Sequence, residues 1–182
     1  MRSILWQRLD APGVEYFRLR SAGDGWRLRG AVILYLDAAP YFIQYCLATD
    51  RDWNACALAV ESEMANVSHR LRLARNAEGK WTRGNEPAPD LADCMVPDLM
   101  FSPSASLLPV RRLSLKIGES AEMTAAWIGL PDLTVVPIKQ KLTRVGEQRY
   151  RSVSKASDSS REIEVDDLGL PIRYSAIWRA LP

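Results

Sequence analysis

The sequence has few of the residues from which catalytic and metal centres are commonly built. It contains one histidine, His69, and three cysteines, Cys46, Cys56 and Cys94. A Ser-His-Asp site requires a histidine beside its partners, and a zinc centre requires clustered ligands, but the cysteine spacings match no metal pattern. Neither a Gly-rich phosphate loop nor a G-x-S-x-G elbow is present. We therefore expect no catalytic residues, no metal and no cofactor.

The sequence also lacks an excess of charge and lacks long apolar runs. Its 24 basic and 22 acidic residues leave a net charge of +2, which argues against a nucleic-acid partner. No run approaches the ~18 apolar residues of a membrane-spanning helix. Residues 1–10 contain no apolar segment long enough for a signal peptide, and an odd number of cysteines is typical of free thiols. These absences predict a cytoplasmic protein and leave its oligomeric state open.

What the chain does contain is a succession of short alternating segments. Hydrophobic residues make up 47% and charged residues 25% of the chain, which is enough for a core without disulfide or metal support. Apolar and polar side chains alternate between turn signals, as in residues 70–73. We predict one all-β domain over residues 1–182, with about 12–15 short strands and little helix. Two similar hairpins, at residues 70–81 and 162–172, hint at two related halves.

Residues 53–64 fit two interpretations. Trp53, Cys56, Val60 and Met64 have helical spacing, and the alanines between them favour a helix. Cys56, Leu58 and Val60 also alternate as they would in a strand. Periodicity alone favours the helix.

Residues 94–113, called the central ribbon below, form the longest segment that is neither a plain helix nor a plain strand. Pro97, Pro103 and Pro109 each remove a backbone donor, so we expect no long helix here. The segment is nevertheless rich in Met, Phe, Leu and Val, which a solvated loop would not be. We predict that the central ribbon lines an apolar cavity.

Two adjacent arginines, Arg111 and Arg112, follow the prolines in a segment that alternates like a strand over residues 110–117. Neighbouring side chains of a strand point to opposite faces, so we expect one arginine to point inward and to need a partner. A structural salt bridge, with Asp98 as a candidate partner, or a position at a strand edge near solvent is one interpretation. Contact with the phosphate, carboxylate or sugar oxygens of a bound headgroup is the other.

The central ribbon resembles a bacterial glycolipid-binding family. The approximate family pattern is matched without a gap at Cys94, Asp98, Leu99, Pro103, Leu108, Pro109, Arg111, Arg112 and Leu113. Flanking segments that also resemble the family are residues 26–30, 50–53, 79–81, 126–127 and 165–170, with Tyr174 and Trp178. The resemblance covers nearly the whole chain, and it rests on the order and spacing of these segments together.

The resemblance implies a spiralling antiparallel sheet rolled into an incomplete barrel, similar to bacterial lipoprotein carriers. It implies that residues 55–60 form a strand, against the periodicity, and that the protein binds an amphiphile without catalysis. The chain departs from the pattern at Asp93, Val96 and Pro97, where the family has Gly, Asp and Val, and at residues 105–107, where it has Thr, Asn and Thr. These changes remove polar groups from the central ribbon and keep its apolar lining.

The expected function is therefore the binding of a hydrophobic or amphiphilic small molecule, a glycolipid or long-chain lipid, in an apolar cleft. Aromatic rings are common in such pockets and stack on sugars. The residues expected to bind the ligand are Arg111, Arg112, Asp98, Trp127, Phe101 and Trp53. Two alternatives stay open: a hydrolase of a lipid-like or glycosidic substrate that uses carboxylates such as Asp98, and a scaffold with a filled core and no cavity.

Overall fold

The computed structural model describes residues 1–155 and 159–182. The sequence predicts a loop at residues 157–160; residues 157 and 158 lie outside the described range, and Ser159 and Ser160 begin a strand. The strands are β1 (Arg2–Arg8), β2 (Gly13–Ala22), β3 (Gly25–Leu36), β4 (Ala39–Asp50), β5 (Ala55–Met64), β6 (Val67–Arg75), β7 (Trp81–Arg83), β8 (Glu86–Pro87), β9 (Cys94–Leu99), β10 (Ser120–Ile128), β11 (Val135–Arg144), β12 (Arg149–Ser154), β13 (Ser159–Val165), β14 (Pro171–Tyr174) and β15 (Trp178–Ala180). One α-helix, α1 (Leu107–Leu113), and two 3₁₀ turns (Pro89–Leu91 and Ser104–Ser106) complete the described elements.

The strands form one sheet with two open edges. Its order runs from β8 down to β1, crosses to β15 and then runs down to β9, so the sheet joins two meanders along the β1–β15 pair. All pairs are antiparallel except β9 with β10, which are parallel. The edges β8 and β9 do not pair with each other, but the Trp81 indole Nε1 donates to the Cys94 carbonyl oxygen at 2.9 Å. The prediction of an all-β incomplete barrel with little helix is confirmed.

The helical interpretation of residues 53–64 is wrong. Ala55–Met64 is strand β5, as the family resemblance implied. In β5, Leu58 pairs with Leu47 of β4 and Val60 with Tyr45, and all four side chains are buried. Ladder hydrogen bonds on both sides of β5 outweigh the weak helix preference of its alanines.

The strand predicted over residues 110–117 is also wrong, because α1 occupies Leu107–Leu113. Pro109 lies in the first turn of the helix, where a backbone N–H has no intrahelical partner to lose. Ser114, with φ of 44°, ends the helix in the left-handed region. Arg111 and Arg112 are therefore consecutive residues of a short helix, and the inward-and-outward argument for a strand does not apply to them.

The central ribbon runs through the interior of the roll. Phe101, Leu107 and Leu108 are fully buried, and they join the large hydrophobic core that also contains the inward side chains of β2–β7. A second, smaller core lies where α1 covers the other half of the sheet; its buried members are Val110, Leu115, Leu142, Tyr150, Ile163 and Val165. The central ribbon thus fills the N-terminal half of the roll.

Gly30 in β3 illustrates how closely this half is packed. Gly30 pairs with Tyr45 of β4, and the register runs past it without the bulge that a glycine in a strand can mark. A Cβ at Gly30 would lie 2.1 Å from the ring of Tyr45. The glycine is needed because the tyrosine ring lies across it.

Candidate functional site

A cleft of about 420 Å³ remains open on the concave face of the C-terminal half. Its walls come from the inward side chains of β1 and of β9–β15, together with the first residues after β9. The residues that line it are Arg8, Asp10, Asp98, Leu99, Met100, Ser102, Trp127, Ile138, Gln140, Ser152, Ser154, Ser159, Arg161, Tyr174, Ile177 and Trp178. The cleft is thus lined by both polar and apolar groups.

The cleft exists because the inward side chains become smaller or more polar along two adjacent strands, β12 and β13. On β12, Tyr150 is buried under α1, whereas the next two inward residues are Ser152 and Ser154. On β13, buried Ile163 is followed on the same face by Arg161. Small hydroxyl side chains cannot fill the space that the large apolar residues fill under the helix, so the sheet stays uncovered at this end.

A connected polar group occupies one wall of the cleft. The Gln140 amide Nε2 donates to Asp98 Oδ2 at 2.6 Å. Burial raises the pKa of the Asp98 carboxyl, and the Gln140 hydrogen bond and the nearby Arg161 charge oppose that shift. Burial and the Asp98 charge together raise the pKa of Tyr174. This wall offers a carboxyl group, an amide, a phenol and a guanidinium to a polar ligand.

Apolar side chains lie beside this polar group, and a buried cation lines the same cleft. Trp127 is the cross-strand neighbour of Asp98, and Ile138 lies two residues before Gln140 on the same face of β11. Arg8 is buried, its Nε donates to Asp10 Oδ1 at 2.7 Å, and its guanidinium lies 5.7 Å from the centre of the Trp178 ring. Within residues 1–155 and 159–182, Arg8 Nη1 has no hydrogen-bond partner. A buried donor without a partner at the cleft wall is available to an acceptor on a ligand.

The structure brings together two of the six residues that the sequence predicts as ligand-binding. Asp98 of β9 and Trp127 of β10 are register partners and both line the cleft. The other four lie elsewhere. Phe101 is fully buried in the core, with its ring 6.3 Å from that of Tyr45.

The predicted pair of arginines and Trp53 lie outside the cleft. The Arg111 guanidinium lies 5.5 Å from the centre of the Trp53 ring, which stacks on Trp26 at 5.0 Å. Arg112 Nη1 donates to the Met95 carbonyl oxygen at 3.4 Å. In the described part of the chain, Asp98 forms no salt bridge with either arginine, and its carboxyl group accepts a hydrogen bond from Gln140 instead.

Sequence reasoning missed a buried polar cluster that borders the cleft. The Tyr45 hydroxyl bonds to Glu15 Oε1 and to Ser104 Oγ, both at 2.5 Å. Ser102 Oγ donates to Glu15 Oε1 at 2.9 Å, and Ser102 also lines the cleft. Burial raises the pKa of Glu15 to about 8, so its carboxyl group is mostly protonated at neutral pH. The alternation of β2 could have indicated this burial, because Glu15 lies on the same face of the strand as the core residues Phe17 and Leu19.

Two further searches of the described residues bear on the site. No group of three or more His, Cys, Asp or Glu side chains in residues 1–155 and 159–182 is placed to hold a metal ion. Among the helices of the same residues, none has the length and apolar character needed to cross a bilayer.

The fold and the cleft define an open, rolled all-β protein with a concave site of mixed polarity. Comparison with known proteins then gives its family. The family model described as "Putative glycolipid-binding" matches residues 3–180, and the chain belongs to this family.

A solved structure supports the same assignment. The chain is similar to a DUF1089 family protein from Pseudomonas aeruginosa, whose crystal structure was determined at 1.80 Å resolution. The two share 27% sequence identity, the match covers 92% of each chain, and the TM-score is 0.83. No curated protein matches the chain.

Proposed function

We propose that this protein is a non-catalytic binding protein that holds an amphiphilic small molecule, a glycolipid or a long-chain lipid, in the concave cleft. The observation that carries the proposal is that one cleft is lined both by the hydrogen-bonded pair Asp98 and Gln140 and by the apolar ring of Trp127 beside them. The volume of about 420 Å³ lies within the range of about 300–1,000 Å³ that is typical of small-molecule sites. The family description, which names glycolipid binding, agrees with it.

In this proposal the polar side chains of the cleft bind the headgroup. Asp98 and Gln140 are hydrogen-bonded to each other and retain further acceptor and donor capacity for sugar hydroxyls. Arg161 and Arg8 supply guanidinium groups for anionic or strongly polar oxygens. Trp127 lies beside Asp98 in the sheet and offers a ring for stacking on a sugar or for packing against methylenes.

The apolar part of the ligand is only partly enclosed in this arrangement. Phe101, Leu107 and Leu108 fill the N-terminal half of the roll, so an acyl chain cannot thread through the centre. Each methylene of the ligand that packs against the apolar side chains of the cleft contributes about 0.8 kcal/mol to binding. We therefore propose that the cleft selects for the headgroup and the methylenes nearest to it.

The assignment of the six predicted residues changes accordingly. Asp98 and Trp127 remain proposed ligand contacts, and Arg8 and Arg161 take the role that Arg111 and Arg112 were expected to have. Phe101 and Trp53 support the fold. We place this function in the cytoplasm as part of the same proposal, since all three cysteines are free thiols.

A hydrolase is the second candidate, and one observation favours it. The Asp98 carboxyl has a raised pKa and faces the cleft beside the Tyr174 phenol, which is the environment of a general acid. In that case the Asp98→Asn variant would keep ligand binding and lose turnover. A screen with ester and glycoside substrates separates the two functions, because a binding protein shows no turnover with any of them.

The binding proposal is tested by filling the cleft. We expect saturable binding of a fluorescent acyl-sugar probe to the native protein, and loss of at least tenfold in affinity in the Ser152→Leu variant. The matched control is Arg151→Leu, which places the same side chain on the outward face of the same strand and should bind normally. Native mass spectrometry gives the stoichiometry. Equal binding by both variants, or no saturable binding by the native protein, would contradict the proposal.

A further inference from the structure

The convex face of β1–β4, on the opposite side of the sheet from the cleft, is divided into an apolar area and a basic area. The apolar area consists of Leu5, Val14, Tyr16, Ile33, Tyr35 and Phe42, whose side chains are between 39% and 57% exposed. The basic area consists of Arg18, Arg20, Arg27 and Arg29. Both areas lie on the outward-facing positions of the same strands.

The apolar area is continuous across the strands. Val14, Ile33 and Phe42 form one cross-strand row, since Val14 pairs with Ile33 and Ile33 pairs with Phe42. Leu5 pairs with Tyr16 in the adjacent row. Single exposed apolar residues need no explanation on a protein surface, but a contiguous group of six marks an interaction surface.

The basic area places like charges directly opposite one another. Arg18 pairs with Arg29 and Arg20 pairs with Arg27 across β2 and β3. Like charges opposite each other in a sheet are destabilising. In the described part of the chain none of the four has a carboxylate partner, and Arg27 Nε is buried without a hydrogen-bond partner. The four arginines are therefore available to an external anion.

Asp24 lies in the β2–β3 turn at the arginine end of this face, where it forms an ion pair with Arg51 at 2.6 Å, and two further carboxylates lie on β5. Glu63 pairs with Phe42, and Glu61 forms an ion pair with Arg70 at 2.6 Å. Asp24 and Glu61 are thus paired with arginines outside the basic area, and among the described residues the charges of Arg18, Arg20, Arg27 and Arg29 stay uncompensated. The face thus combines exposed aromatic and aliphatic groups at one end with concentrated cationic groups at the other.

We propose that this convex face docks onto the surface of an anionic lipid membrane. Anionic lipids attract basic clusters, while tyrosine and aliphatic side chains insert at the headgroup–acyl boundary. The presence of Leu5, Val14 and Ile33 favours a lipid surface over a nucleic acid, which would use stacking rings rather than aliphatic groups. The concentration of positive charge disfavours a second copy of the same face, because the arginines of two copies would repel each other.

Vesicle co-sedimentation tests the proposal. We expect the native protein to bind vesicles of phosphatidylcholine with phosphatidylglycerol, to bind pure phosphatidylcholine at least tenfold more weakly, and to be released by salt. The Arg18→Gln/Arg29→Gln variant should bind anionic vesicles about fivefold more weakly for each charge removed. The Ile33→Ser variant should weaken binding while leaving its salt dependence unchanged.

The matched control is Arg149→Gln/Arg173→Gln, which removes the same charge from exposed positions of β12 and β14. This control should bind vesicles like the native protein, and Ser152→Leu, which fills the cleft, should do the same. Thermal unfolding checks that all variants fold. Equal loss in the two arginine pairs, binding to an oligonucleotide in place of vesicles, or dimerisation through this face would each overturn the proposal.

Discussion

The two halves of the roll use the same kind of sheet in different ways. In the N-terminal half, the inward side chains are large and apolar, among them Leu28, Ile43 and Leu58, and the central ribbon packs against them. In the C-terminal half, α1 covers only one end of the concave face, and Ser152 and Ser154 line the uncovered end. The difference teaches that sheet curvature alone does not make a binding site here. The size of the inward side chains and the path of the central ribbon decide where space remains.

The largest expected effect on stability comes from removing a large buried side chain from the N-terminal half. Phe101 is fully buried, so Phe101→Ala should lower the free energy of unfolding by about 3–5 kcal/mol. Ile138 is only half-buried at the cleft wall, and Ile138→Ala should cost about 1 kcal/mol because water already reaches this side chain. Urea unfolding measures both values. Similar losses in the two variants would mean that the halves do not differ in packing.

The second prediction concerns the pH dependence of the filled half. Glu15 has a pKa of about 8 in the folded chain and an ordinary value of 4.5 when unfolded. Between these values the unfolded chain has released a proton that the folded chain still holds, so this group makes stability fall as pH rises from about 4.5 to 8. We expect Glu15→Gln to remove that component of the slope.

The control for the pH experiment is Glu164→Gln, because Glu164 is exposed on β13. Chemical denaturation at a series of pH values gives the difference between each variant and the native protein. A Glu15→Gln difference that does not change between pH 5 and pH 8 would contradict a protonated, buried Glu15.

The third prediction adds carbon atoms to each half. Gly30→Ala places a Cβ 2.1 Å from the Tyr45 ring and should destabilise the fold by about 1–3 kcal/mol. Ser152→Leu adds more atoms, but they enter the open cleft and should leave stability unchanged within about 1 kcal/mol. Thermal unfolding compares the two. A larger loss for Ser152→Leu would show that the cleft is closed in solution.

The smallest effect is expected for Arg111, which both the alternation and the family pattern single out. Its guanidinium lies over Trp53 at an exposed position, so Arg111→Ala should cost about 0.5–1 kcal/mol of stability. Because Arg111 lies outside the cleft, probe affinity should not change. A tenfold loss of affinity in Arg111→Ala, as large as that expected for Ser152→Leu, would instead indicate that the ligand binds beside α1.

Much of the architecture was predictable from local pattern. Alternation and turn residues indicate strands such as β6 and β13, and the order of the family motifs indicates a single rolled sheet. The alternation of Tyr150, Ser152 and Ser154 was visible as well. This alternation leaves part of the concave face uncovered only because of the strands that lie beside β12, and the order of strands cannot be read from local pattern.

Two features of the site could not be read from pattern. A proline in the first turn of a helix cannot be distinguished by sequence from a proline that interrupts a strand. Pro109 was therefore no evidence for α1 in the sequence. The hydrogen bond between Ser102 and Glu15 joins residues that are 87 positions apart in the chain, and a local sequence pattern cannot predict a contact over that separation.

The sequence by itself determined which side chains face inward, because a strand turns each successive residue to the opposite face. It also determined the family and the all-β class. Only the tertiary structure decided that the central ribbon enters the roll, that Asp98 meets Gln140 and Trp127, and that Arg111 does not join them. The physical reason is that burial depends on neighbours brought together by strand pairing between distant segments, whereas alternation depends only on the residue itself and the next one along the chain.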